Sequence, residues 1–273
     1  MYELFNKVDK IFIINLKDDL YRKEHVEKEL KNKCDSFEFI DAVAHSSALV
    51  KDLYNSNKVK AFPPCFRCNQ EKCNHQNNYL TPKQVGNFLS FKKIMQITVD
   101  NNLSNVIIFE DDFKFKLNSY ISFKNLNKFI SQKKLLKTSN PLLIRIGSHT
   151  VVNKKYYLKL ILSGKSSFIK NNLENMANPC FLVNNKFAKL FLNNFGLIDT
   201  TSDNFIHRKI PEKYNVVNYS IYPFPITQLS YGKDKNLFKS SITSEPVNND
   251  FSNMNRVDSG EEYRRLKSNW LKI

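Results

Sequence analysis

The chain of 273 residues, 41% of them apolar, is long enough for one large or two small domains around a substantial core, which excludes disorder as the default. Its 42 Lys and Arg against 26 Asp and Glu give a net charge of +16 and a pI of about 9.5, a balance that suits phosphates, anionic lipid, acidic glycans or nucleic acid without choosing among them. Lys, Asn, Ile and Phe are abundant along the whole chain rather than in blocks, so compositional bias accounts for the charge equally well.

Met1-Tyr2-Glu3-Leu4-Phe5 does not read as a basic segment leading into an apolar run, and no stretch approaches the ~18 apolar residues of a membrane span. The expectation is a cytoplasmic protein, with contact to the inner face of a membrane left open. In that compartment the five cysteines are expected to be thiols or metal ligands. A first strand, Lys10 to Ile14, runs into Asn15-Leu16-Lys17-Asp18-Asp19 and a helix that Asp18 or Asp19 can cap, with Leu20, Val26 and Leu30 as its apolar face. Ligands of open α/β sheets sit beyond the carboxyl ends of the strands, which makes Asn15 and Arg22 candidates for a nucleotide; alone, they read more readily as a turn residue and a solvated charge. A second strand is expected at Phe37 to Ile40, running into Asp41-Ala42.

Residues 54–79 interrupt this pattern with Pro63-Pro64 and a C-x2-C-x4-C-x-H array of Cys65, Cys68, Cys73 and His75. Four S and N ligands suit a structural zinc ion, although the final gap is shorter than in common finger modules, and plain thiols or redox use stay open. Thr81-Pro82-Lys83-Gln84 reads as a capping box that starts a helix with Phe88, Phe91, Met95 and Val99 on one buried stripe.

The organising stretch follows: Val106-Ile107-Ile108-Phe109-Glu110-Asp111-Asp112-Phe113. Four apolar residues make a short buried strand, and three acids cannot follow it into the core, so they are delivered to an edge or cleft. Alternation puts Glu110 and Asp112 on one side and Asp111 on the other. Two like charges side by side suit a hard divalent cation shared with substrate phosphate; the bland alternative is a solvated turn.

Further on, a helix is expected at about 120–136, a strand at Leu142 to Ile146 leading to His149, a strand at Cys180 to Val183, and a helix at about 186–195 stopped by Gly196. Asp203 and His207 share a face if their segment is helical, and Asp203 can serve as a base or merely cap that helix. Val216 to Tyr222 alternates as a strand, and Pro223 to Gln228 is expected as an ordered loop, because prolines do not fit a central strand. The expected organisation is one α/β domain over residues 1–240, with the Cys/His-rich insertion at 54–79. A polar tail at 241–273 ends in an amphipathic helix carrying Tyr263, Leu266 and Trp270.

Five pieces in order, Ile13-Ile14-Asn15-Leu16 with Arg22, Asp41-Ala42-Val43, Leu80-Thr81-Pro82 with Gly86 and Ser90, Ile107 to Asp112, and Pro223-x-Pro225-Ile226-x-Gln228, resemble the family 25 glycosyltransferases, the lipopolysaccharide and collagen galactosyltransferase-like enzymes. The resemblance spans about residues 10–230. It implies a GT-A-like, Rossmann-type mixed sheet flanked by helices. It also implies an inverting hexosyltransferase, with galactose or glucose moved from a UDP-sugar to a lipopolysaccharide, capsule or glycoprotein acceptor, helped by Mn²⁺ or Mg²⁺. On that reading Asp112 with Glu110 holds the metal, Asn15, Leu16, Arg22, Glu110 and Asp111 hold the donor, and Asp203 is the base. The chain departs from the family pattern in having Phe91 after Ser90 where many members have His, and Gln84 where Glu is frequent. A rival reading is a Mg²⁺-dependent nuclease built on Asp100, Asp112 and Lys114, or a zinc-bearing nucleic-acid-binding protein, although nucleic acid is not the favoured partner.

Overall fold

The computed structural model describes residues 2–59, 80–148, 154–170, 177–230 and 238. Three strands, β1 (Lys10–Asn15), β2 (Glu38–Asp41) and β3 (Asn105–Glu110), lie parallel with β1 in the middle. Next to β3 runs β7 (Cys180–Asn184), antiparallel, then β5 (Leu142–Arg145), β8 (Val217–Tyr222) and β6 (Ser167–Lys170). The result is a seven-stranded mixed sheet in the order β2-β1-β3-β7-β5-β8-β6, in which β6 and β7 oppose the other five. Two short strands, β4 (Phe113–Phe115) and β9 (Ile226–Gln228), form a separate antiparallel ribbon. This is the mixed α/β architecture expected from the sequence, and it is consistent with a GT-A-like arrangement.

The central strands read as unbroken apolar runs because both faces are covered. In β1, Phe12 and Ile14 point into one core with Ile108 of β3 and Val183 of β7, beneath α3 (Pro82–Asp100) and α6 (Asn185–Asn193). Ile11 and Ile13 point into the other, where Val26 and Leu30 of α1 (Leu20–Leu30) meet Phe123, Leu126 and Ile130 of α4 (Ser119–Gln132). Each of these fully buried side chains is worth roughly 1.5–3 kcal/mol of transfer free energy.

The helix starts behave as the sequence chemistry requires. Asp19 caps α1 by accepting from the Arg22 N–H at 3.1 Å. Thr81 and Gln84 form a reciprocal capping box at 3.3 and 2.8 Å, with Pro82 opening α3. Along α3 the expected stripe is present, with Phe88, Phe91 and Met95 buried and Val99 packed against them.

Several boundaries move. Leu20 belongs to no apolar face; it is exposed at the start of α1. The helix expected at 120–136 splits into α4 and a 3-10 turn at Leu135–Lys137. The helix expected at about 186–195 ends two residues earlier, at Asn193, with Asn194 as its C-cap. Tyr54 lies inside α2 (Ala48–Asn55). Between the prolines and Gln228 the expected loop instead becomes β9, because Pro223 and Pro225 precede the three paired residues and leave their N–H groups free to bond β4. His149, the array of Cys65, Cys68, Cys73 and His75, and the tail at 241–273 with Tyr263, Leu266 and Trp270 all lie outside the described residues.

Gly86 and Ser90 clamp the segment after β2 onto α3. Ser90 Oγ accepts from the Val43 N–H at 2.8 Å and donates to the Gly86 carbonyl at 2.8 Å. A Cβ on Gly86 would stand 2.5 Å from the Val43 carbonyl oxygen, a backbone atom that cannot swing aside. Gly86→Ala is therefore expected to cost about 1–3 kcal/mol and lower Tm by roughly 2–10 °C in a thermal melt; an unchanged Tm would show that the clamp is slack.

Candidate active site

The turn after β1 and the turn after β3 meet at the carboxyl edge of the sheet, because the parallel register sets Ile14 beside Glu110. Asn15 and Asp111, one residue further on, face each other, and the Asn15 amide donates to Asp111 Oδ2 at 3.0 Å. From the first turn of α1, Arg22 Nη1 donates to Asp111 Oδ1 at 2.5 Å, and its Nε lies 3.4 Å from Asp19. Burial acts to lower the Arg22 guanidinium, but the charges of Asp111 and Asp112 outweigh it and hold Arg22 above its ordinary value. Asp111 is raised to about 6 by burial, against the pull of Arg22. Both partners are buried, and removing Arg22 would leave the Asp111 carboxylate without its paired cation, at a cost of about 3–5 kcal/mol for a buried pair.

Glu110 is held from the opposite side. Asn87 of α3 donates to its Oε1 at 3.2 Å and Gln228 of β9 to its Oε2 at 3.3 Å. Burial, with the Asp112 charge beside it, pushes the Glu110 carboxyl well above the usual carboxylate range. Asp112 is buried, its carbonyl accepts from the Leu229 N–H at 2.8 Å, and its Oδ1 has no hydrogen-bond partner among the described residues. Asp111 thus faces Asn15 and Arg22, whereas Glu110 faces Asn87 and Gln228 with the Asp112 charge beside it. β3 ends at Glu110, the chain turns at Asp111 and Asp112, and all three acids line one cavity of about 280 Å³ together with Asn15, Leu16 and Arg22.

Among the described residues no three His, Cys, Asp or Glu side chains are grouped so as to hold a metal ion by themselves. The unpartnered Asp112 oxygen, with Glu110 one turn residue away, nonetheless offers a hard anionic donor pair. A divalent cation fits here only if a bound ligand supplies further oxygens.

Asp203 is not among the residues lining this cavity, although its charge is felt at Glu110. It sits in α7 (Ser202–Asn204), the start of a helix that continues through a π-helical stretch, Phe205–Lys209, into α8 (Ile210–Lys213). Ser202 Oγ donates to Asn87 Oδ1 at 2.5 Å, which ties this helix to the Asn87 amide that grips Glu110. Burial raises Asp203 against hydrogen bonds from Thr201 and the Asn204 N–H, and it is close enough to Glu110 and Arg145 to exchange charge effects with both. His207 is no part of the cavity. It is fully buried with its ring against Phe181, and burial followed by the Arg145 charge drives it well below its ordinary range, so it is neutral. Arg145, at the end of β5, is buried and lowered to about 9, and none of its guanidinium nitrogens has a partner among the described residues.

The nuclease constellation is not assembled. Asp100 closes α3 before the amino end of β3, where Gln96 bonds it at 2.7 Å, whereas Asp112 follows the carboxyl end. Six residues of strand separate the two ends by roughly 20 Å. Lys114 is exposed on β4.

Asn87 was not singled out by the sequence reading, and Gln228 entered it only as the end of the Pro223 to Gln228 piece, without a role. Lys83, Asn87 and Ser90 recur at helical spacing and all line the cavity, so a polar stripe beside the apolar one on α3 was the available signal.

An α/β sheet that gathers carboxylates, an arginine and an asparagine at its carboxyl edge belongs to the class of α/β proteins whose sites lie at that edge. A family model described as glycosyltransferase family 25 (LPS biosynthesis protein) matches residues 8–206. The chain belongs to this family and is by that membership a transferase. The match takes in β1 to α7 and stops before Pro223 to Gln228. No individually curated protein matches the chain.

The acid cluster has a pH signature. Glu110 has a folded-state pKa above its unfolded value, so its contribution to stability is complete below the ordinary carboxylate value of about 4.3 and is lost as pH rises from there through the raised folded-state value. At pH 7.5 the native state carries that burden and Glu110→Gln does not. The variant is expected to melt a few degrees above the parent at pH 7.5, with the difference vanishing towards pH 4, as followed by thermal melts across that range. A variant that melts lower at pH 7.5 would mean that the Asn87 and Gln228 bonds outweigh the repulsion.

Proposed function

We propose that this transferase moves a hexose, galactose or glucose, from a UDP-sugar to a hydroxyl of a glycan acceptor with inversion at the donor carbon, in the presence of Mn²⁺ or Mg²⁺. The observation that carries the reading is the unpartnered, buried Asp112 oxygen in a cavity whose other walls are Asn15, Arg22 and Glu110. Asn15, Leu16 and the buried Arg22 supply a wall for the nucleotide, with Arg22 kept in place by Asp111 rather than left free to collapse onto phosphate. Asp112, with Glu110 beside it, would hold the cation, which when bound neutralises the diphosphate and stabilises charge on the leaving group. Asp203 takes the proton of the acceptor hydroxyl as that oxygen attacks; burial makes it a stronger base than a solvated carboxylate. The acceptor belongs to a lipopolysaccharide, capsule or glycoprotein glycan. We further propose structural zinc at Cys65, Cys68, Cys73 and His75, since a set of four protein ligands leaves no position for catalysis.

The test is a screen of UDP-galactose and UDP-glucose with and without Mn²⁺, read as UDP release and as a Tm rise. Wild type is expected to respond in both, and Asp112→Asn to lose the Mn²⁺-dependent Tm rise and about 100-fold or more of kcat. Asp203→Asn should keep the Tm response and lose turnover. A wild-type protein that neither releases UDP nor is stabilised by any UDP-sugar would sink the donor assignment. Elemental analysis of the same preparation is expected to find about one zinc per chain, and less than about half of that would count against four protein ligands.

A further inference from the structure

The lysines are spread evenly along the chain, but the acids are not. Between Asp112 and Glu174 the sequence holds thirteen Lys and Arg and no Asp or Glu, leaving 29 basic and 26 acidic residues for everything else. Nearly all of the net charge of +16 thus belongs to one stretch. Of that stretch, β4, α4, β5, α5 (Lys154–Leu162) and β6 are described.

The same stretch exposes large apolar side chains. Leu117 is fully exposed, and Leu162 is 86% exposed, Tyr120 63% and Leu158 55%. These do not belong to isolated helices. The Asn125 amide of α4 donates to the Gly164 carbonyl at 3.0 Å and to Ser166 Oγ at 3.2 Å, just beyond α5. An Ile121 methyl lies 3.9 Å from where a Gly164 side chain would begin, and the Lys116 ammonium lies 5.6 Å from the centre of the Tyr157 ring. The outer face of α4 presents Tyr120, Ile121, Lys124 and Lys128, while Lys155, Leu158, Lys159 and Leu162 recur at helical spacing on the outer face of α5. Glu3, which touches α4 through Asn127, is itself paired with Lys7 at 2.7 Å.

Exposed Leu, Ile and Tyr among lysines of an acid-free stretch match a bilayer carrying anionic headgroups: the apolar groups enter the acyl boundary while the lysines stay at phosphate level. A nucleic acid would make use of the lysines but leave Leu117, Leu158 and Leu162 in water. We infer that the joined face of α4 and α5 docks this protein on an anionic lipid surface. The face begins five residues after Asp112, so a docked molecule holds its acidic cavity close to that surface. The inference stands apart from the reading of donor and acceptor, and lipid binding is measured without either.

The experiment is flotation of the full-length protein with vesicles of phosphatidylcholine alone or with about 30% phosphatidylglycerol. Wild type is expected to float with the anionic vesicles only. Each lysine near such a surface is worth roughly fivefold in partition, so Lys124→Glu/Lys128→Glu/Lys159→Glu should lower binding on the order of 100-fold. Lys28→Glu/Lys31→Glu/Lys51→Glu, an equal change in charge on exposed positions elsewhere, should leave binding within about twofold. Leu117→Ser/Leu158→Ser/Leu162→Ser should lower binding at least tenfold at high salt, where the charge contribution is screened, with Tm unchanged because all three are exposed. The inference is overturned if wild type stays with the unbound fraction, if both charge triples weaken binding alike, if the leucine triple binds as wild type does, or if duplex DNA competes the protein off the vesicles through the same lysines.

Discussion

Three consecutive carboxylates at the end of a buried strand are the constraint that the surrounding structure answers. Each acid receives a different treatment from a different part of the chain. Asp111 is taken by Asn15 and Arg22 from the β1 turn and α1, Glu110 by Asn87 of α3 and Gln228 of β9, and Asp112 keeps one oxygen without a partner among the described residues. None of these partners is near in sequence, so the acid turn is stable only when the sheet, α3 and the ribbon are all in place. The repulsion left among the three acids is a cost to stability, the usual conflict between stability and a working site.

The family signature gains a physical meaning in this light. Asn15 and Arg22 belong together because both hold Asp111, and Gly86 and Ser90 belong with Asp41 to Val43 because the helix can approach that loop only without a side chain at 86. The pieces that looked weak one by one are halves of contacts.

How much of this was legible varied with the kind of signal. Strands β1, β3 and β7 were readable as apolar runs, and the start of α3 as a capping box, because local chemistry decides them. The edges were not readable. That β3 ends at Glu110, so that Asp111 and Asp112 already belong to a turn, was not readable from the acids themselves. β4 and β9 are three residues each, too short for periodicity, and the prolines before β9 argued for a loop. Asp203 was legible as an acid in a helix, but its place behind Asn87 and near the unpartnered Arg145 depends on which strands are neighbours. Asp100 and Lys114 fitted a spacing and nothing more, since spacing does not say that a whole strand lies between. Total charge hid its own distribution, which emerges from where acids are missing rather than where lysines occur.

The ribbon beside the acids has a register of three pairs, Phe113 with Gln228, Lys114 with Thr227 and Phe115 with Ile226. Sliding β4 by one position would trade the fully buried Phe113 for the exposed Lys114 and carry Gln228 out of reach of Glu110. Residues 113–118 pass for an ordinary surface connection between a strand and a helix, the kind of place where natural variants gain or lose a residue freely. In this protein that segment behaves as a ruler: its length is as firmly dictated as the chemistry of the acids it follows, and changes of length are to be sought elsewhere in the chain.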